Sequence, residues 1–301
     1  MTPSTGQDTA PQTDPPVQTV PLAAGLYIVS TPIGNLRDIT LRALDTLTAA
    51  DEILAEDTRV TRKLLTAYGI HTRLTAYHDH NGAERRPGVL AALQAGATIA
   101  LVSDAGTPLI SDPGFKLVRD AADCGVAIIP VPGASAMLAG LVVAGLPTDR
   151  FLFAGFLPQK AAARRRALEA LAPIDSTLIL YEAGSRLTAM LSDAAACLGG
   201  NRPVAVSREL TKRFEETRRD TLEELAAHYA GAGSPKGELV VMIGPPENGA
   251  TREADLDRFL EEGLASMSVK AASEAAARAL GVPRRQAYQR ALELKRQRNE
   301  P

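Results

Sequence analysis

Three short apolar runs in the first half of this chain each stop in a loop crowded with glycine, proline and small polar residues. Residues 25–31 lead into Thr31-P-I-G-N-L-R-Asp38, and residues 97–102 into Ser103-D-A-G-T-P-L-I-S-D-P-Gly114. Residues 126–130 lead into Val131-P-G-A-Ser135. Between the runs lie segments of helical spacing, such as Leu41, Leu44 and Leu47, and the stretch 58–68, which Asp57 can cap. Apolar runs alternating with helices predict an α/β domain around a mostly parallel sheet. Ligands bind such sheets outside the carboxyl ends of the strands, where these loops lie. Glycine permits close backbone approach there, and proline lowers the entropic cost of ordering the loop. Neither G-x-G-x-x-G nor a glycine-rich loop ending in Gly-Lys-Ser/Thr occurs, so the expected site is neither a Rossmann nor a P-loop site.

A chain of 301 residues has room for two domains. The expected division is a disordered Pro/Thr/Gln-rich tail at 1–21, an α/β domain at 22–149, a second at 150–246 and a helical unit at 247–301. In the second domain the apolar runs are 176–181, 203–206 and 238–243, and 151–157 opens it. Residues 245–250 read as a linker, and helices are expected at 253–262, 269–280 and 284–298, the last two resembling a helix-turn-helix pair. With aromatics at 4% and no tryptophan, the core should be mostly Ala, Leu, Val and Ile.

The formal net charge of −2 hides a local imbalance. Residues 264–298 hold eight Lys or Arg against two acids, a surplus of six; Lys160, Arg164, Arg165 and Arg166 form a second basic cluster. Solvated helix faces or nucleic-acid contacts would each explain them. Cys124 and Cys197 offer neither a disulfide framework nor a thiolate metal site, and His71, His78, His80 and His228 build no convincing zinc site. No metal is expected. The N-terminus lacks a basic segment followed by an apolar core, and no apolar run is long enough to span a bilayer, so a cytoplasmic protein without membrane contact is expected.

Asp104, Thr107, Ser111 and Asp112 supply polar atoms to the longest loop. Asn35, Arg37 and Asp38 could orient a polar substrate, or Asp38 could cap the following helix. Arg59, Arg62 and Lys63 share one helical turn, as phosphate contacts or as a solvated face. No G-x-S-x-G elbow exists, and Gly133-A-Ser135 has the wrong register for one. The residues alone lead to a two-domain ligand-binding enzyme with possible nucleic-acid contacts.

Taken in order, Thr31-P-I-G-N-L-x-Asp38, Ala55-E-D-T-Arg59, Ser103-D-A-G-T-P-L-I-S-D-P-Gly114, Val131-P-G-A-Ser135, Tyr181-E-Ala183, Arg208-E-L-T-K-x-F-E-Glu216 and Gly237-E-L-V-x-x-I-G-Pro245 resemble the tetrapyrrole methylase-like superfamily, in its branch acting on 16S ribosomal RNA. The resemblance spans residues 25–246 and continues weakly beyond. It implies two α/β domains with S-adenosylmethionine in the interdomain cleft, usually in a homodimer, and 2′-O-methylation of a decoding-centre cytidine, with the 30S subunit as partner. Carried over, Pro32, Asp104, Gly106, Thr107, Pro108, Ser111, Asp112, Pro132, Gly133 and Ser135 should contact the cofactor, as should Tyr181, Glu182, Lys236, Gly237, Glu238 and Leu239. Asn35, Arg37, Arg59, Arg62, Lys63, Arg208, Lys212 and Arg213 should meet RNA. Glu182 or Asp104 is the expected carboxylate at the reacting centre, with cofactor contact or loop support as the alternative. A tetrapyrrole-like small-molecule methylase and a noncatalytic ribosome-binding protein are the competing functions.

Overall fold

The computed structural model describes residues 21–78, 80–112, 114–246, 248–280 and 282–299, without the side chains of 248–255, 298 and 299. The expected disordered tail thus lies, Pro21 apart, outside the described residues. Strands β1 (Gly25–Val29), β2 (Glu52–Ala55), β3 (Arg73–Ala76), β4 (Thr98–Val102) and β5 (Ile128–Val131) form an all-parallel sheet in the order β3-β2-β4-β1-β5. Strand alternation sorts its two faces. Tyr27, Val29, Ala100 and Val102 pack against α1 (Leu41–Ala49) and α2 (Thr58–Ala67). Leu26, Ile28, Ile99 and Leu101 pack against α3 (Gly82–Gln94) and α4 (Phe115–Asp123). The Asp57 carboxylate accepts from the Arg59 amide at 2.8 Å and caps α2. Asp38 does not cap α1: the Thr40 hydroxyl does, accepting from Ala43 N at 3.1 Å.

The second sheet is mixed. Strands β6 (Phe151–Phe156), β7 (Thr177–Ala183), β8 (Pro203–Arg208), β9 (Glu216–Thr221) and β10 (Glu238–Ile243) run in the order β6-β7-β10-β8-β9. Only the β6–β7 pair is parallel. Leu178, Leu180, Leu239 and Val241 face the layer of α6 (Ala161–Leu171), α7 (Gly184–Leu198) and α8 (Leu222–Ala232). Ile179, Tyr181, Val240 and Met242 face the other way, toward α5 (Ala136–Ala144). Thus α5, which follows the last strand of the first sheet, lies on the second. A Cβ on its Gly140 would come within 3.0 Å of Met242 and Val240, so the helix sits nearly backbone-on-sheet.

Beyond the sheets, α9 (Asn248–Leu264), α10 (Val269–Leu280) and α11 (Arg284–Asn299) close around their own core of Leu256, Leu260, Ala272, Ala276, Ala287, Ala291 and Leu294. The expected linker at 245–250 is shorter than anticipated, because α9 already starts at Asn248.

The second basic cluster divides between structure and solvent. Arg164 is buried and pairs with the buried Asp193 (Nη2–Oδ2 2.6 Å), while Arg165 Nε meets Oδ1 at 2.6 Å. Lys160 and Arg166 stay exposed. Burial works to raise the Asp193 carboxyl, but hydrogen bonds from Arg165 and Arg164 hold it below its ordinary value. Asp193→Ala would strand the Arg164 guanidinium in the core. The expected loss is about 3–5 kcal/mol, read from urea unfolding at neutral pH. Because the folded carboxyl titrates low, this contribution is present above the unfolded value near about 4 and is lost as pH falls through the lowered folded one.

Candidate active site

The strand order places β1 between β4 and β5, so the loops that follow these three strands are neighbours. They interlock through short contacts. Thr31 N donates to Gly106 O at 2.8 Å and Gly106 N to Thr31 O at 3.1 Å. The Ser30 and Thr107 hydroxyls lie 3.0 Å apart, and Thr107 Oγ1 donates to Ala134 O at 3.3 Å. A Cβ on Gly133 would stand 2.9 Å from that of Ser30, so the third loop needs glycine there to approach. Within the long loop, Leu109 and Ser111 hold φ of 76° and 67°, a left-handed conformation costly for residues with a Cβ.

The second sheet faces these loops with the end of β7, the start of β10 and the segment after β8. Glu209 and Thr211 in that segment also have positive φ, 51° and 66°. Between the two sides is a cavity of ≈ 410 Å³. Asp104, Gly106, Thr107, Ser111, Asp112 and Ser135 line it from the first domain, and Tyr181, Glu182, Lys212, Gly237, Glu238 and Leu239 from the second. Pro32, Pro108, Pro132, Gly133 and Lys236 are not in its wall. The wall also includes Ile33, Glu56, Ile110, Ala136, Phe156, Glu209 and Leu210, which the sequence reading did not single out. Glu209 lay inside a quoted motif, between two basic residues that drew attention instead.

The charge in this wall is lopsided. Glu56, Asp104, Asp112, Glu209 and Glu238 face one cationic residue, Lys212, while Glu182 meets the wall at the end of β7 with its carboxylate turned away. Its Nζ is held 3.0 Å from both Glu209 Oε1 and Glu238 Oε2, and Glu209 Oε1 also accepts from Glu238 N at 3.1 Å. The hydrogen bonds and charges of Glu238 and Glu209 hold the Lys212 ammonium above its ordinary range, against burial. Its stem crosses to the first domain: a Cβ on Gly34 would lie 2.4 Å from Lys212 Cγ.

Each of the two carboxylates expected at the reacting centre already holds a partner through one of its oxygens. Glu182 lies beside Leu239 across the β7–β10 pair, on the strand face occupied by Leu178 and Leu180, opposite to Tyr181. Its Oε1 accepts from Ala183 N at 2.9 Å and stands 3.1 Å from Arg186 Nε, and its side chain is 1% exposed. Burial pushes this carboxyl above its ordinary value despite those partners. Asp104 Oδ1 accepts from Asp57 N at 2.9 Å, tying the loop after β4 to the one after β2.

Of the residues expected to meet RNA, the structure brings only Lys212 into the cavity wall. Asn35 caps a short helical turn through Arg37 N, and Arg37, Arg62 and Lys63 are exposed. Arg59 pairs with Asp57 at 2.6 Å, Arg208 with Glu216 at 3.4 Å, and Arg213 lies over the Phe214 ring at 5.6 Å from its centroid. Among the described residues, no helix is long and apolar enough to cross a membrane.

Two α/β domains closing on an acidic cleft define a methylase class of fold, and residues 25–226 match the model of the Tetrapyrrole (Corrin/Porphyrin) Methylases. Residues 250–295 match a second model, the RsmI C-terminal HTH domain. Solved structures agree at the level of fold. A uroporphyrin-III C-methyltransferase from Thermus thermophilus complexed with S-adenyl homocysteine has a TM-score of 0.51 at 21% identity, covering 73% of this chain and 97% of that one. A diphthine synthase has 0.55 at 17% identity, covering 73% and 89%. Much closer in sequence are proteins named ribosomal RNA small subunit methyltransferase I. That of Mesorhizobium japonicum is 53% identical over 94% of this chain and 96% of its own length. That of Escherichia coli O157:H7 is 47% identical over 89% and 94%. The chain belongs to the tetrapyrrole methylase family, in its ribosomal RNA small subunit methyltransferase I branch.

Gly34→Ala tests the bridge across the cleft. The added methyl meets the root of the Lys212 stem, so the ammonium should be pulled from Glu209 and Glu238. Faster amide exchange at Glu238, read by hydrogen–deuterium exchange, is the expected result. Unchanged exchange would mean the stem relocates without disturbing its partners.

Proposed function

We propose that this protein transfers a methyl group from S-adenosylmethionine to a ribose 2′-hydroxyl of a decoding-centre cytidine in 16S ribosomal RNA, within the 30S subunit, acting as a cytoplasmic homodimer. The observation that carries the cofactor is the charge of the cleft. Five acidic residues surround one lysine that is already neutralised by two of them, which suits a cationic ligand and repels a phosphate. The cavity volume is that of a small-molecule site. When bound, S-adenosylmethionine supplies a methyl on a sulfonium sulfur, already electrophilic, and departs as the neutral thioether.

The chain's own contribution is then positioning and proton removal. Gly106 and Gly237, at φ of 85° and 102°, bring bare backbone to the wall in a conformation that residues with a Cβ rarely adopt. Tyr181 Oη accepts from Met137 N at 3.2 Å and so fixes the start of α5 against β7. Exposed Phe156, edge-on to Tyr181 at 5.6 Å, gives the mouth of the cavity an apolar rim that limits water access.

RNA phosphates must be held outside this acidic cleft. Arg37, Arg62 and Lys63 are exposed on the first domain, and Lys270, Arg278, Arg284, Arg285, Lys295 and Arg296 are exposed on the C-terminal helices. Arg290 is spent internally on Asp257 and Glu293, at 2.7 and 2.8 Å. The names of the close relatives and the match of residues 250–295 support ribosomal RNA over a tetrapyrrole as substrate. Exposed Leu138 and Val142 on α5 support pairing of two copies.

The decisive experiment incubates the protein with radiolabelled cofactor and 30S subunits from a strain lacking this activity. Gain of one ribose methyl in 16S RNA, located by mass spectrometry, is expected; label in a porphyrinoid and none in RNA would replace the reading. Truncation after Gly249 should leave the two sheets folded, since α9–α11 have their own core, while weakening 30S binding and lowering its dependence on salt. Equal affinity across a salt series would remove the C-terminal helices from RNA contact.

A further inference from the structure

On that reading of the reaction, we propose that Asp112 is the carboxylate that takes the proton from the attacking ribose hydroxyl. The assignment follows from what the other acids in the cleft are doing. Glu182 turns to the far face of its sheet and to Arg186. Asp104 holds the Asp57 amide. Glu209 and Glu238 hold Lys212 between them, and Glu56 is engaged in an interaction of its own. Among the described residues Asp112 forms no ion pair and accepts from no backbone amide, and the Ser103 hydroxyl is a polar neighbour.

Its surroundings suit a base. Asp112 is half-buried in the cavity wall, and Tyr181 faces it from the second domain. The neighbouring Ser111 carries the left-handed φ, and its hydroxyl stands 3.2 Å from where a Cβ on Gly155 would be. Gly155 lies at the register shift in β6, with φ of 63°. A bulge in one domain therefore receives the strained loop of the other, fixing where the Asp112 carboxylate points. Burial, and secondarily the negative charge of Asp104, push the Asp112 carboxyl above its ordinary value, with the Ser103 hydrogen bond offsetting part of this. A carboxylate so raised is a stronger proton acceptor than an exposed aspartate.

The step balances without a further reagent. The 2′-oxygen forms a bond to the methyl carbon as the carbon–sulfur bond breaks, and the sulfur keeps that electron pair. The hydroxyl proton passes to Asp112, leaving a methyl ether, a neutral thioether and a neutral carboxylic acid. A carboxylate suffices because the hydroxyl becomes strongly acidic only as its oxygen is alkylated, so proton transfer can lag behind bond formation.

Single-turnover methylation of 30S subunits, binding of S-adenosylhomocysteine by calorimetry, and infrared titration of carboxyl groups test this in the full-length protein. Asp112→Asn should slow methyl transfer by about 10²–10⁴-fold with thioether affinity unchanged, which also shows that the variant folds. Wild-type transfer should fall as acid protonates the base, through a value above the ordinary aspartate range. Asp104 and Tyr181 are the titratable groups facing Asp112, and they remain in the variant. Its pH dependence should therefore flatten, and one high-titrating carboxyl band should vanish. Asp112→Glu should recover part of the rate. Wild-type turnover by Asp112→Asn, or a loss of thioether affinity matching the loss of rate, would overturn the assignment, the latter making Asp112 a cofactor ligand. If the wild-type protein binds the thioether yet methylates no 30S subunit, the functional reading itself falls, and this assignment with it.

Discussion

Two backbone hydrogen bonds between Thr31 and Gly106 hold the carboxyl ends of adjacent strands β1 and β4 in one frame. The site depends on that frame. It lets Ser30 meet Thr107 and lets Thr107 reach the chain after β5, so three strand-end loops become a single wall. It also fixes the base of the segment that carries Leu109 and Ser111 in unfavourable backbone geometry. Such strain survives only where the flanking structure over-determines the loop. Here the flanks are a buried parallel sheet on one side and α4 on the other, with Gly114 packed so closely on Leu101 and Leu109 that a Cβ would stand 2.9 Å from each.

An acidic cleft in an RNA-modifying enzyme resolves into a division of labour. Phosphates carry negative charge and bind through exposed cations, at a cost in salt sensitivity. A sulfonium cofactor carries positive charge and gains from surrounding carboxylates. Placing Lys212 between Glu209 and Glu238 keeps the cleft negative while anchoring the segment after β8 across the domain boundary, against Gly34. The surface cations lie outside the cavity wall, and they leave the ribose as the part of the RNA that must enter.

Much of this architecture was legible in the sequence because parallel, doubly covered strands are continuous apolar runs. Residues 97–102, in the parallel sheet, are an instance; 238–243, antiparallel to both neighbours, is equally apolar because it too is covered on both faces, and the alternation of such runs with helices indicated two α/β domains. Capping by Asp57 was legible for the same local reason. The short edge strand Arg73–Ala76 and the polar edge strand Glu216–Thr221 were not, since edge strands need not be apolar. The mixed order of the second sheet was hidden as well, because strand direction depends on pairing between distant segments. Nor did the basic residues at 164 and 165 announce that one buried aspartate 28 residues or more away would claim them both.

The candidate site illustrates a sharper limit. Motifs drew attention to Tyr181 and Glu182 together, yet adjacent residues of a strand point to opposite faces. Only the packing of β7 between α5 and α7 decides which of the two enters the cleft. The phenol does, and the carboxylate goes to the rear with Leu180 and Arg186. In the loop after β4 the same kind of decision falls to backbone conformation, not to strand pleat. There Asp104 is turned into a structural tie, and Asp112, eight residues on, faces the opposing domain across the cavity. Identical chemical groups in adjoining motifs thus acquire separate roles from geometry that neither composition nor spacing encodes. The acid–base chemistry of the cleft must therefore be assigned from what each carboxylate is already holding.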